Sequence, residues 1–392
     1  MSYRVDPGFL TRLQKYGTAN IQSCFNCGNC TAVCPLSSGD DGFPRRMIRY
    51  AQLGMKERIL GSKELWLCYS CGECTATCPR QADPGEFMAA ARRYAIADYD
   101  PFGLARLLYT SRVFNILFLI GLSLALGLVI YSFHGAMPRE SLRLFEFIPS
   151  EVIHDAGVIA GLAVILAACW GVVTMMFQIR KNRVLPDGFR VDYWSAVMET
   201  TGEVFLQRRY RSDCETYSAP QPWYLQRWFL HASMLWGFMG LFLATALDYL
   251  LALAGIKATG TWVPLWYPVR LLGTAAGLLM LYGVTVIIVK RLLKDGVSYL
   301  HSTPSDWSLL LLLWLSAATG FALEAAIYLP APHAWGYWML LAHLVAVGDL
   351  LLLLPFTKFA HVFYRTAALY VHALKPYPQT EPAGAAAGGG AE

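Results

Sequence analysis

Apolar positions in this chain gather into six long runs, near residues 113–133, 152–178, 227–254, 268–291, 307–329 and 337–363, separated by polar connections. A helix crossing a hydrocarbon core of about 30 Å needs roughly 20 residues. Each run supplies that length, so the pattern predicts six membrane-spanning helices. The first hundred residues read differently, as shorter polar helix-forming segments. Pro44 marks a helix start, Arg45 to Leu60 reads as helix, Gly61 ends it, and a second segment runs from Pro84 to Tyr94. Few β-branched runs intervene. The expectation is an all-α chain: a soluble domain at 1–105, a six-helix bundle at 106–375, and a low-complexity tail at 376–392 that is predicted to be disordered.

With 56% hydrophobic and 15% charged side chains in 392 residues, the composition is that of a membrane protein with a soluble head. The net charge of +5 is spread beside the apolar runs and forms no basic face, so nucleic acid is not an expected partner. Its distribution carries topology instead. The segment 180–226 holds Arg180, Lys181, Arg183, Arg190, Arg208, Arg209 and Arg211, and a later connection holds Lys290, Arg291 and Lys294. The connections at 134–151, 255–267 and 330–336 are poorer in such residues. Cytoplasmic loops retain Lys and Arg, which places both termini and the soluble domain in the cytoplasm, on the inner membrane of a prokaryote. No signal peptide is legible at Met1 to Arg4. Tyr193, Trp194, Phe205, Tyr210, Trp223 and Tyr224 in the 180–226 segment suit an interfacial helix, or alternatively a docking surface for partners.

Eight of the ten cysteines fall in two copies of one pattern, Cys24-Phe-Asn-Cys27-Gly-Asn-Cys30-Thr-Ala-Val-Cys34-Pro35 and Cys68-Tyr-Ser-Cys71-Gly-Glu-Cys74-Thr-Ala-Thr-Cys78-Pro79. Three thiolates at this spacing wrap three irons of one cubane, and the fourth, beyond a longer gap and a proline turn, points to the companion cluster. The expected ligand sets are Cys24, Cys27, Cys30 and Cys78 for one [4Fe–4S] cluster, and Cys68, Cys71, Cys74 and Cys34 for the other. A zinc ribbon uses two C-x2-C pairs and has no need of the third and fourth cysteines. Disulfides do not suit a reducing cytoplasm. Cys169, in an apolar run, reads as a core residue and Cys214 as a surface thiol.

The last apolar run holds His343 and His361. Their separation of 18 residues is five turns of a continuous helix, so both rings would leave one face roughly 27 Å apart. Two depths suggest two haems b, each needing a second axial histidine. His231 opens the third run at its cytoplasmic end, level with His361, and His154 opens the second run at its outer end, nearer His343. The expected pairs are His231 with His361 for an inner haem and His154 with His343 for an outer one. His134, His301, His333 and His372 fall in connections or beyond the last run, and no C-x-x-C-H for covalent haem occurs. Asp248, Glu324 and Asp349 lie within apolar runs, where a carboxylate costs about 2.5 kcal/mol or more on insertion scales. Asp248 and Glu324 are candidates for the quinone side.

No G-x-G-x-x-G follows a strand, and neither a phosphate loop nor a nucleophile constellation is present. The residues argue for electron transfer, with substrate conversion left to a partner. The twin cysteine motifs of residues 24–79 resemble the small iron–sulfur subunit of heterodisulfide reductases. The spans from 152 onward resemble the cytochrome b subunit of those enzymes and of respiratory nitrate reductase. The fusion of the two resembles the membrane subunits of quinone-interacting membrane-bound oxidoreductase complexes. That resemblance implies two soluble flavin and iron–sulfur partner subunits, menaquinone or a similar quinone, and adenylylsulfate (APS) reductase in dissimilatory sulfur metabolism. The alternative it leaves is a heterodisulfide-reductase-like complex delivering electrons to a disulfide-reducing partner. In the nitrate reductase cytochrome the partner span carries two histidines ten residues apart; here His231 is followed, ten residues on, by Leu241. The inner haem transfers directly, and the outer one needs His154.

Overall fold

The computed structural model describes residues 5–374 apart from 18–19, 38–41, 183–191, 216–220 and 330–333. The tail at 376–392, His333 and the Cys214 side chain lie outside that description. All regular structure among the described residues is helical.

In the N-terminal region, α1 (Arg45–Gln52) follows Pro44 as expected, but it ends eight residues early. The chain turns at Gly54, with φ +70°, and a separate short helix covers Lys56–Leu60. A Cβ at Gly54 would strike the backbone of Asp6, whose amide donates to the Gly54 carbonyl at 2.9 Å. Gly54 is itself a local stop signal just past the helix end, and docking of the N-terminal segment holds it there. Helix α2 (Pro84–Tyr99) runs five residues beyond the expected end. Pro84 sits at its first position and the Asp83 carboxylate accepts from the Glu86 amide at 3.1 Å, satisfying an otherwise free donor. A short helix, α3 (Leu104–Thr110), leads into the bundle.

Among the described residues six helices are long and apolar enough to cross a membrane: α4 (Arg112–Ser132), α5 (Ser150–Asn182), then, after the loop helix α6 (Tyr193–Leu206), α7 (Arg227–Leu253), α8 (Pro268–Leu293), α9 (Pro304–Tyr328) and α10 (Trp335–Leu353). Their outward faces carry rows of exposed Leu, Ile and Phe, including Leu117, Leu124, Leu166 and Phe242. Water would penalise that surface and hydrocarbon would not. Consecutive helices α7 to α10 pack side by side, with α4 and α5 against α10.

The last apolar run is not one helix. Helix α10 stops at Leu353, the chain turns through Pro355, and α11 (His361–Ala373) begins anew. Pro355 has no amide hydrogen to continue the ladder and disfavours helix at Leu354. His343 and His361 therefore sit on different helices, and the five-turn argument for their common face does not hold.

One core joins the N-terminal cysteine-bearing region to the bundle. Phe9, Ile48, Leu65, Phe87 and Ala91 continue into Met175 and Ile179 of α5 and Tyr364 and Ala368 of α11. The Trp66 ring lies 4.8 Å from that of Tyr364. Burial of each large apolar side chain there contributes about 1.5–3 kcal/mol. Gly61 packs so close to the end of α5 that a Cβ would collide with Asn182. At the far end of α11, Lys63 Nζ donates to His372 Nδ1 at 3.3 Å. Burial, then Lys63 and Arg209, lower His372 to about 4. The folded value lies below the unfolded one of about 6.5. This group's stabilisation is therefore complete above pH 6.5 and is lost as pH falls towards 4. Thermal denaturation across that window should show the loss, and His372→Gln should flatten it; an unchanged profile would exclude His372 as the titrating group.

Candidate functional site

Both cysteine motifs turn by the same device. Gly28 (φ +96°) and Gly72 (φ +92°) take left-handed conformations and open one-turn helices, Asn29–Ala32 and Glu73–Ala76, which pack against each other. Their juxtaposition crosses the motifs over. Burial raises the Cys30 thiol, and its cysteine neighbours Cys24, Cys27 and Cys78 raise it further. Cys34 is pushed up to about 12 by burial, with Cys68 and Cys71 adding to it. Cys74 is pushed up in the same way by burial and by Cys68, Cys71 and Cys34. Buried thiols crowded together resist ionisation, and only bound cations make four thiolates tolerable at such a site. The donor set therefore fits iron–sulfur clusters. The amides of Ser70 and Ala82 donate to Cys68 Sγ and Cys78 Sγ, each at 3.4 Å, as expected around cluster sulfurs.

The two cysteine groups differ in surroundings. Cys27 is exposed and Phe25 beside it is 61% exposed. Cys34, Cys68, Cys71 and Cys74 instead line a common cavity with Phe43 and Met88, and their loop docks on the bundle. Arg227 of α7 donates to the carbonyls of Cys71 (3.1 Å) and Ser70 (2.9 Å). Ser298 donates to the same two carbonyls. Arg365 of α11 reaches the carbonyls of Trp66, Leu67 and Cys68 at 2.9–3.3 Å. Arg92 of α2 bonds the Cys68 carbonyl at 3.0 Å from the other side. Three guanidinium groups thus surround this cysteine set, where they would stabilise an anionic cluster.

One helical turn from two of these arginines stand the histidines. Arg227 precedes His231 by four residues on α7, and Arg365 follows His361 by four on α11. The two imidazole centroids are 6.1 Å apart. Two iron–nitrogen bonds of about 2 Å, plus about 1.1 Å from each nitrogen to its ring centre, require roughly 6.2 Å across a bis-histidine iron. Each Nδ1 is already engaged, that of His231 with Gln207 Oε1 at 3.1 Å and that of His361 with the Lys358 carbonyl at 2.7 Å. Such bonds leave Nε2 as the ligating atom. The residues present fit an axially ligated haem. Between this pair and the docked loop runs an aromatic chain: Tyr69 stacks on Tyr210 at 5.3 Å, and Tyr210 meets the His231 ring at 5.6 Å.

The remaining sequence-derived residues are not gathered in this way. His343 Nδ1 engages Thr319 Oγ1 at 3.0 Å, whereas the His154 ring lies against Tyr249 at 4.5 Å. Among the described residues no contact joins the two histidines. Asp248 pairs with Lys257, Glu324 accepts from Thr274 at 2.9 Å, and Asp349 is buried against Ser123.

Sequence reasoning missed the arginines, although Arg-x3-His at 227–231 and His-x3-Arg at 361–365 were legible. It also missed a chain of charge that is buried from Glu86 to Asp306 and ends at exposed Lys358. Glu86 and Arg93 of α2 pair at 2.8 Å, Arg93 lies 3.8 Å from Asp306 at the start of α9, and Asp306 holds Lys358 at 2.6 Å. That chain pins the turn whose carbonyl orients His361.

Fold and cysteine geometry together define a class, the 4Fe–4S dicluster proteins joined to a multi-pass helical bundle. A profile described as 4Fe-4S dicluster domain matches residues 20–82, and one described as citrate utilization protein B matches residues 115–381. The second covers well over half of the chain, which belongs to the citrate utilization protein B family. The Escherichia coli citrate utilization protein B is 30% identical over 155 residues, covering 38% of each chain. The iron-sulfur subunit of the CoB--CoM heterodisulfide reductase of Methanopyrus kandleri is 33% identical over 67 residues, 17% of this chain and 33% of that one. A heterodisulfide-reductase-like protein of Archaeoglobus profundus, similar to the same small component, is 32% identical over 88 residues, 22% of this chain and 47% of that one. The chain spans between a third and a half of the length of these relatives. No solved structure matches it.

Proposed function

We propose that the chain is the membrane subunit of a quinone-linked oxidoreductase complex, a wire for single electrons between a membrane quinone and soluble flavin and iron–sulfur partners. Its stations are a haem b on His231 and His361, a [4Fe–4S] cluster on Cys34, Cys68, Cys71 and Cys74, and a second on Cys24, Cys27, Cys30 and Cys78. The observation that carries this reading is the His231 and His361 ring pair, with centroids 6.1 Å apart and one turn from the arginines that grip the Cys68–Cys71 loop. Haem and nearer cluster are then neighbours through Tyr69 and Tyr210, and the farther cluster, beside exposed Cys27, faces the partner. The soluble domain lies on the cytoplasmic side. A second haem, on His154 and His343, is the further station the sequence suggests; the His154 ring lies against Tyr249.

The partner is an oxidoreductase. The family's citrate utilization name favours one acting on a carboxylic acid over the APS reductase, or the disulfide-reducing partner, that the sequence resemblance implies. Anaerobically purified protein should hold about eight cluster irons per chain and haem b, and a reduced menaquinone analogue should reduce haem first and clusters after it. Tyr210→Leu should slow the second phase while both absorption spectra persist. Zinc in place of iron, or quinol that reduces neither centre, would sink the reading.

A further inference from the structure

A basin of about 390 Å³ opens between the N-terminal segment, α2 and α3, away from both cysteine groups and the histidine pair. Four cations line it, Arg12, Lys15, Lys56 and Arg106. Arg12 is paired with Asp6, and Lys56 with Asp98 at 2.6 Å. Among the described residues Lys15 and Arg106 have no carboxylate partner, so the basin carries an excess of about two positive charges. Tyr16 adds a hydroxyl that burial pushes up to about 12, keeping it a neutral donor beside Arg106.

Its position in the fold points to the occupant. Arg106 lies on α3, which ends two residues before the spanning helix α4 begins. Asp98 approaches Gln178, near the end of spanning helix α5. The basin therefore sits level with the ends of two spans, on the bilayer face where the soluble domain stands. Phe102 and Leu107, beside Arg106, are 74% and 47% exposed, as apolar side chains entering the acyl boundary would be.

We propose that this basin seats a phosphate-bearing anion, the headgroup of an anionic lipid of the surrounding bilayer. The phosphate would lie between Lys15 and Arg106 with Tyr16 donating to it, and the acyl chains would run along α3 towards α4. Bound there, the lipid bridges the N-terminal segment, α2 and the first span.

Native mass spectrometry of the full chain released from membranes tests this, with phosphatidylglycerol, phosphatidylcholine and inorganic phosphate as probes. One phosphatidylglycerol per chain should be retained in preference to phosphatidylcholine. Lys15→Gln with Arg106→Gln should weaken its retention roughly 30-fold, about fivefold for each cation at a membrane surface. Both side chains are exposed, so the core is untouched, and cluster absorbance reports that the variant is folded. If the double variant fails to fold, Lys15→Gln alone should show the fivefold step. Inorganic phosphate that binds once per chain, and is lost in the variant, without any lipid preference, would support the anion site but assign it to a soluble source. Equal retention of the two lipids with no phosphate bound, or undiminished binding in the folded variant, would overturn the proposal.

Discussion

His361→Ala is expected to abolish the low-spin haem signal contributed by the His231 pair while leaving cluster iron and sulfide unchanged. The two imidazole centroids stand at the separation one bis-histidine iron would need. His361 is the first residue of α11 and only half-buried, so its removal leaves the packing of Tyr364 and Ala368 intact. His231→Ala should behave identically. Gln207→Leu should be milder: it removes the partner that orients His231, and such outer groups typically change metal affinity about 10–100-fold. Pyridine-haemochrome analysis and reduced-minus-oxidised spectra give the answer. Full haem content in both histidine variants would remove the inner site from consideration. His343→Ala serves as the comparison, because unchanged haem there would limit the chain to one haem.

Cys34→Ser and Cys74→Ser are expected to lose the same cluster, although the two residues belong to different sequence motifs. Cys78→Ser and Cys24→Ser should lose the other. The crossing follows from the packing of the two one-turn helices, which sets Cys34 beside Cys68 and Cys71, and Cys78 beside Cys30. Each variant should drop from about eight cluster irons to about four, and the surviving paramagnetic signal should be common to each pair. On the proposed reading, loss of the Cys34 and Cys74 cluster should also uncouple quinol oxidation from a soluble acceptor, since that cluster would stand between the histidine pair and the exposed Cys27 face. If Cys34→Ser instead matched Cys24→Ser, each motif would hold its own cluster and the crossed assignment would fail.

Several parts of this arrangement were legible in the chain because they depend on local physics. Six apolar runs announce six long helices, since any apolar stretch of that length must leave water, and the observed ends differ by only a few residues in five of them. The spacing of the cysteines announces the dicluster domain, since one loop must deliver three thiolates to one cubane. Pro84 and Asp83 announce the start of α2.

Other parts depend on which surfaces meet, and no window of sequence contains that. Pro355 divides the last run; the sequence paired His231 with His361 by depth, and the packed structure brings the two rings to 6.1 Å across that break. Only the fold sets Asp6 against Gly54, where it leaves no room for a Cβ. Arg92, Arg227 and Arg365 read as ordinary interfacial cations until three separate helices bring them around one loop. His154 and His343 were matched by depth alone, and depth says nothing of the angle at which two helices present their faces; the His154 ring lies against Tyr249, and Thr319 engages His343 at Nδ1. By itself the sequence determined the kinds of groups present and the medium each segment must occupy, because transfer free energies and loop spacings are local. Only the tertiary structure decided which groups face each other, because a contact between distant residues is chosen by the packing of the whole chain.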